Sequence, residues 1–298
     1  MKNRRYRYLL YIILRIIIFL IRLLPYRLSS GVGSLSGSLV YFLLPQVRRQ
    51  SAFNLANALG AEKTPRELTV INQKVFKNLG RNLTEALNVS RLHKDNIDKY
   101  VKCDNLKLFS DLRENGKGVI VLSPHFGNWE LVPVYAALKG YPVNVIARRL
   151  YYEKFEELIS RIRAENKINV IYRDQPARKI LNVLKANEIL GILPDQDVDS
   201  VEGVFVDFFG QPAYTPSGPV ALAMANNTPL VTCFLVREGN CHRLIIEEPI
   251  SLENTGDKER DIKVNTEKWS KVFETYIRRY PEQWVWMHRR WKTKESQE

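Results

Sequence analysis

Apolar residues fill nearly every position from Leu9 to Leu24 in "RYRYLLYIILRIIIFLIRLLP", interrupted only by Arg15 and Arg22, and Pro25 ends the run. The two arginines are seven apart and so share one face of a helix. As a helix, residues 6–24 reach roughly 28 Å at about 1.5 Å per residue, close to the apolar thickness of a bilayer. Such a segment either spans a membrane or lies in its interface with both arginines reaching back to the headgroups. Two arginines in the apolar stretch and no small-x-small site after it argue against a cleaved secretory signal. The expectation is an interfacial or tilted, deeply inserted anchor; the alternative is a buried hydrophobic hairpin of a soluble domain. In the following "SSGVGSLSGSLVYFLLP", Ser29, Gly33 and Gly37 recur every fourth residue. They form a smooth stripe that another helix can approach closely, and the first helix is its expected partner. Residues 61–102 read as helical and mixed in charge, with Thr64 as N-cap and Pro65 at the first helical position.

From residue 117 the pattern changes. Short apolar runs ("GVIVLS", "VNVIA", "INVIY", "ILGILP", "LVTCFLV", "RLIIEE") alternate with helical stretches such as "WELVPVYAALKG", "YEKFEELISRIRAEN" and "ARKILNVLKAN". Strands separated by helices predict βαβ units, so the expected fold is α/β, a largely parallel sheet flanked by helices, with an N-terminal helical membrane anchor. "RLIIEE" is the candidate for an antiparallel edge strand. The division that follows is residues 1–47 for the anchoring helices and 48–298 for the α/β domain, without repeats or Gly/Ser linkers.

The 298 residues are 45% apolar, which excludes a disordered chain. The formal charge of +13 matters through its placement: residues 1–50 carry nine Lys/Arg (Lys2, Arg4, Arg5, Arg7, Arg15, Arg22, Arg27, Arg48, Arg49) and no acid, and a second basic cluster closes the chain. That excess suits a phosphate-bearing or acidic partner. A nucleic-acid-binding module would spread its basic residues over the α/β body instead of crowding them at the termini. Three cysteines (Cys103, Cys233, Cys241) without CxxC spacing fit a reducing compartment and structural roles. No further His/Cys cluster accompanies Cys241 and His242, so no metal site is expected.

The candidate chemistry sits in "SPHFGNWE" at 123–130, directly after the run "GVIVL". Ligands of α/β sheets bind at the carboxyl ends of strands. His125 and Glu130 there are either a working pair or a satisfied structural ion pair. As a working pair, Glu130 would hold one ring nitrogen of His125 while the other serves as a general base. No G-x-S-x-G, HExxH or HxxEH accompanies them, so the attacking group is better supplied by the substrate, as a hydroxyl attacking an activated acyl group.

From about Arg48 to Lys294 the chain resembles the lipid A biosynthesis (late) acyltransferases, within the H-x-x-x-x-D/E glycerolipid acyltransferase group. The blocks that carry the resemblance, in order, are "RRQSAFNL" (48–55), "HFGNWE" (125–130), "RR" (148–149) with "RIR" (161–163), "LPDQD" (193–197), "FFGQPAYTPSGP" (208–219) and "PEQWVWMHRRWK" (281–292). The resemblance implies transfer of a fatty acyl chain from acyl carrier protein to a hydroxyl of a membrane-embedded glycolipid, at the cytoplasmic face of the inner membrane, without metal or redox cofactor. On it, His125 is the general base and Glu130 its orienting partner. Arg148, Arg163, Asp195 and Gln196 fall in substrate-binding positions. Arginine forks suit the phosphates of such acceptors, although Arg148 and Arg163 also read as surface helix charges and Asp195 as a loop cap. Phe205, Phe208 and Phe209 are candidates for an acyl pocket or for plain core. Trp284, Trp286 and Trp291 interleave with Arg289, Arg290 and Lys292, a mixture suited to headgroup depth at a membrane or to stacking on single-stranded nucleic acid; the apolar N-terminus favours the membrane. The acceptor stays open among lipid A precursors, phosphatidylinositol mannosides and lysolipids. Acyl-CoA stands beside acyl carrier protein as donor, with the basic surface favouring the acidic carrier. The rival class is a membrane-anchored lipid-binding scaffold that has lost catalysis. It predicts a decayed constellation, yet His125, Glu130, Arg163 and Asp195 are all present.

Overall fold

The computed structural model describes residues 2–295, with side chains from residue 6 onward. The side chains of Lys2, Arg4 and Arg5 and the last three positions of the expected 48–298 domain lie outside the described residues. Helices α1 (Lys2–Leu23), α2 (Tyr26–Leu43), α3 (Pro45–Leu59) and α4 (Pro65–Leu87) precede the sheet. There follow β1 (Val101–Cys103), α5 (Leu108–Arg113), β2 (Val119–Leu122), α6 (Leu131–Leu138), β3 (Val143–Ala147), α7 (Glu153–Ala164), β4 (Asn169–Tyr172), α8 (Arg178–Lys185) and β5 (Ile189–Ile192). The chain continues through β6 (Gly203–Phe208), β7 (Gln211–Pro216), α9 (Gly218–Asn226), β8 (Leu230–Glu238), β9 (Cys241–Ile246) and α10 (Lys258–Arg279).

Seven strands form one sheet in the order β1-β9-β8-β2-β5-β3-β4, and every neighbouring pair is parallel except β8 with β9. The expected mostly parallel α/β sheet is therefore present. Strand β9, which contains the "RLII" of "RLIIEE", is antiparallel to β8 as expected but does not lie at the edge, because β1 pairs beyond it. Strand β2 is buried at all four positions. Its alternate residues feed two cores: Ile120 and Leu122 join Phe234, Trp269 and Phe273 on one face, while Val119 and Val121 join Leu131, Tyr135 and Leu235 on the other. A strand covered on both sides has to read as a continuous apolar run.

The start of α4 follows the sequence expectation. The Thr64 hydroxyl accepts from the Glu67 backbone N–H, and the Glu67 carboxylate accepts from that of Thr64, a reciprocal capping box with Pro65 at the first position. The glycine stripe of α2 is indeed a contact surface, but its partner is α4, not α1. A Cβ on Gly37 would stand 2.1 Å from the Phe76 carbonyl oxygen, and one on Gly33 2.3 Å from that of Gly80. Gly80 answers from α4, where a Cβ would meet the Gly33 carbonyl oxygen at 2.0 Å. The two backbones touch because Gly33, Gly37 and Gly80 carry no side chains there.

Helix α1 rests on the body through Ile18 and Ile21, which pack with Leu87. Arg22 donates to the Leu87 carbonyl and pairs with Glu165 at 3.0 Å, so this arginine is engaged by the protein itself. The outward faces of α1 and α2 are apolar: Leu9, Ile16, Phe19, Leu35, Leu39 and Phe42 are all more than half exposed. Among the described residues no single helix is long and apolar enough to cross a membrane; α2 and α3 together qualify only as a pair bent by 94°.

Because α2 and α4 meet backbone to backbone, Gly37→Val should lower the free energy of unfolding by about 1–3 kcal/mol, the range for overpacking a close contact. A substitution at solvent-facing Gly31, where an added Cβ meets nothing within 4 Å, should leave the denaturation midpoint nearly unchanged. Equal midpoints for the two variants in urea would show that the helix contact is loose.

Candidate active site

Parallel pairing of β2 with β5 sets Leu122 beside Ile192, so the two segments leaving these strands, 123–130 and 193–197, emerge side by side. That adjacency builds the site. The Asp195 carboxylate lies 2.7 Å from His125 Nδ1, accepts the His125 backbone N–H at 2.8 Å, and accepts the Trp284 indole N–H at 2.8 Å. Asp195 is 2% exposed and fully satisfied, whereas His125 keeps part of its ring in the cleft. Burial alone would favour neutral Asp195, but the His125 ring and the indole outweigh it and pull its pKa down to about 2. Burial likewise opposes charge on His125, and Asp195, with a smaller contribution from Glu130, overcomes it and holds the imidazole above its ordinary 6.5. In the neutral ring, an ionised Asp195 fixes the hydrogen on Nδ1 and leaves the lone pair on Nε2.

The expected His125–Glu130 hydrogen bond is not formed. Glu130 sits at the N-cap of α6 and takes a two-pronged contact from Arg163 of α7, at 2.7 and 3.2 Å. The guanidinium out-competes the ring because its planar fork matches the carboxylate. Asp195, expected to bind substrate, stands where Glu130 was expected. Gln196 places its amide between His125 and His288, while Arg148 is exposed just beyond β3, at the same carboxyl edge of the sheet. Phe208 and Phe209 are core side chains against Trp284, Trp291 and Trp286, and half-buried Phe205 packs on Tyr214. None of the three lines the two cavities that flank Glu130. One of about 70 Å³ is walled by Val121, Ala136, Val145 and Ile189; the other, of about 290 Å³, by Leu83, Leu87, Val134, Ile159 and Ile162, and both share Trp129, Glu130 and Arg163.

The "PEQWVWMHRRWK" tryptophans are interior: Trp284 is 1% exposed, Trp286 0% and Trp291 8%. Arg290 is buried as well, bonded to the Tyr214 carbonyl and Thr215 hydroxyl at 2.5 Å each. The segment is a strap across the turn that carries His125. Gly127 N–H donates to the Gln283 carbonyl, Val285 N–H to that of His125, and Phe126 bridges Trp284. Asn54, from the "RRQSAFNL" block, donates to the carbonyls of Trp286 and His288. Gly127 allows the close fit: at φ 53°, a Cβ there would meet the Leu235 carbonyl oxygen at 1.7 Å.

Behind the turn lies a buried charge cluster that sequence reading passed over. Glu85 of α4 receives two contacts from Arg237 (2.6 and 2.8 Å), one each from Asn128 (2.9 Å) and Ser30 (2.8 Å), and lies 3.1 Å from His242 Nε2. Burial raises the Glu85 pKa, but His242 and Arg237 more than reverse this, and it falls well below the carboxylate range. Asn82, one turn earlier, accepts from Arg237 and donates to the Gly127 carbonyl. The signal was present as polar residues on the apolar face of α4, but their partners lie 43 to 157 positions away.

Residues 1–293 match the family model described as bacterial lipid A biosynthesis acyltransferase. The lipid A biosynthesis palmitoleoyltransferase of Escherichia coli (strain K12) is 24% identical over 91% of this chain and 87% of its own length. The lauroyltransferase of the same organism is 26% identical over 90% and 85%. A phosphatidylinositol mannoside acyltransferase of Mycolicibacterium smegmatis is 26% identical over 59% of the chain and 57% of its own length.

Glu85→Gln should strand the buried Arg237 charge and cost about 3–5 kcal/mol, whereas Glu85→Leu combined with Arg237→Met should recover much of it; chemical denaturation of both checks this. For His125, NMR titration should give a midpoint above 6.5, and Asp195→Asn should move it below. The sign follows from linkage: Asp195, depressed to about 2 from 3.8, stabilises above 3.8 and less as pH falls towards 2, while His125 gives its stabilisation below 6.5 and loses it as pH rises through its folded value. An unchanged midpoint in Asp195→Asn would remove the carboxylate from control of the ring.

Proposed function

The chain belongs to the bacterial lipid A biosynthesis acyltransferase family and is an O-acyltransferase for a lipid A-type acceptor, and we propose that His125 is its general base, oriented by Asp195, in direct transfer from a thioester donor. The observation that carries this reading is the His125 ring itself, partly exposed, anchored at Nδ1 by a buried carboxylate and met at Nε2 by the Gln196 amide. The acceptor hydroxyl gives its proton to Nε2 as its oxygen bonds to the thioester carbon. When the tetrahedral intermediate collapses, the C–S bond breaks and the same proton passes from Nε2 to the leaving thiolate. No covalent acyl-enzyme is needed, because the hydroxyl is the nucleophile.

The Glu130–Arg163 pair divides the site from the two apolar cavities. The larger, with its aliphatic walls, suits an acyl chain better than the phenylalanines of β6 do. Arg148, Arg149, Arg173, Arg178 and Lys179 are exposed at this end of the sheet, a charge that suits acceptor phosphates and an acidic acyl carrier protein alike. The exposed apolar faces of α1 and α2 support contact with the inner-membrane surface at its cytoplasmic side, the interfacial form of the anchor. The buried tryptophans take no part in that contact. Similarity to phosphatidylinositol mannoside acyltransferases keeps that acceptor as the second reading.

Purified enzyme supplied with acyl carrier protein thioester should acylate a lipid A precursor in preference to a phosphatidylinositol mannoside. His125→Ala should lower the rate by about 10²–10⁴ in protein that still melts above the assay temperature, the loss of the Asp195 partner costing some stability but far less than the rate. Unchanged turnover in that variant would overturn the general-base assignment. Preference for the mannoside would favour the second acceptor.

A further inference from the structure

A second imidazole stands in the cleft beside His125. The ring centroids of His125 and His288 are 5.3 Å apart, inclined at 62°, and the Gln196 side chain bridges them. Its Nε2 lies 2.7 Å from His288 Nε2 and 3.2 Å from His125 Nε2. All three side chains are partly exposed, so the bridge is open to what enters the cleft. The hydrogen assignments follow from Asp195. In the neutral ring, the form a general base needs, the ionised carboxylate takes the Nδ1 hydrogen of His125, so its Nε2 can only accept and Gln196 must present an N–H to it. The second amide hydrogen is then left for His288 Nε2, which must also be bare, so that His288 carries its hydrogen on Nδ1. Burial, and then the neighbouring His125, disfavour the charged form of His288, while Asp195 opposes this more weakly.

The segment carrying His288 is held firmly. Its carbonyl accepts from Asn54 and from the Arg290 backbone at 2.9 Å, and buried Trp286 and Arg290 flank it. Both halves of the bridge are thus set before substrate arrives, the condition under which a hydrogen-bond donor stabilises developing charge without reorganisation.

We propose that Gln196 is a catalytic residue whose amide N–H stabilises the oxyanion of the tetrahedral intermediate, and that His288 is the positioning residue that aims it. The inference rests on the acyl-transfer reading of the same site. The incoming hydroxyl replaces the amide at His125 Nε2, and the released N–H turns to the thioester carbonyl oxygen next to it. As the new C–O bond forms, the carbonyl π pair moves onto that oxygen, and the N–H bond to it strengthens. The pair returns when the C–S bond breaks. A primary amide is as easily placed with its oxygen forward, which would repel the oxyanion. The bare Nε2 of His288 selects the N–H-forward orientation, because the flipped amide would set oxygen against a lone pair.

The test uses the full chain with acyl carrier protein thioester and a lipid A precursor. Gln196→Ala should lower kcat by about 10²–10³ with KM little changed, as for loss of an oxyanion donor. His288→Leu should lower kcat by about tenfold or more. His288→Gln, whose Oε1 can accept in place of Nε2, should recover much of that. The Gln196→Ala/His288→Leu double variant should be no slower than Gln196→Ala alone. Multiplying effects, or a His288→Leu rate within about twofold of wild type, would overturn the proposal. In the same assay, His125→Ala separates the two levels: wild-type turnover there removes the general-base reading together with this one, while loss there with none in His288→Leu removes this one alone. Nitrogen NMR of the unsubstituted protein reports the geometry without turnover, and a protonated Nε2 on neutral His288 would also refute it.

Discussion

The placement of the turn that carries His125 depends on one buried ion pair, Glu85 with Arg237. Two charges withdrawn from water are tolerated when most of the donors and acceptors around them are used. That demand recruits Ser30 from α2, Asn82 from α4, Asn128 from the turn and His242 from β9. A layer of greasy side chains could have filled the same volume with more slip. Hydrogen-bonded charges accept one register, and since Asn82 also grips the Gly127 carbonyl, that register reaches within two residues of His125.

The site itself separates two carboxylates by environment. Asp195 is enclosed, saturated with three donors and committed to the ring; Glu130 is a third exposed and committed to a guanidinium. Spacing along the chain points to Glu130, five positions from His125 across a tight turn. Space points to Asp195, seventy positions away. The reason is topological: β5 lies next to β2, and the side-by-side order of strands is not written in the local pattern of either. What could be read was that both strands end at the same edge of the sheet.

The same contrast runs through the rest of the molecule. Alternation of apolar runs with helical stretches made the parallel sheet legible, and "TPRE" specified the start of α4 down to its cap, because those signals act within four residues. The glycines of α2 were legible as a contact surface, but the partner, Gly80, sits in an unremarkable stretch of α4. Interleaved tryptophan and arginine look alike whether they face headgroups or a protein interior. Only the Tyr214 carbonyl and Thr215 hydroxyl, supplied by β7, tell that Arg290 is inside. His288 was hidden in the same block, its meaning resting on an amide 92 residues away.

The contact of α2 with α4 through Gly33, Gly37 and Gly80 has a mechanical consequence. Side chains between helices act as a compliant layer, whereas backbones in direct touch do not. The exposed apolar face of α2 and the turn that holds His125 are joined through α4, by backbone contact on one side and by the buried hydrogen bonds of Asn82 and Glu85 on the other. Whatever surface takes up that face meets His125 at a fixed height. On the acyl-transfer proposal, a hydroxyl would then be selected by how far it stands from that surface, as a gauge block selects a length, before any side chain inspects the molecule that bears it.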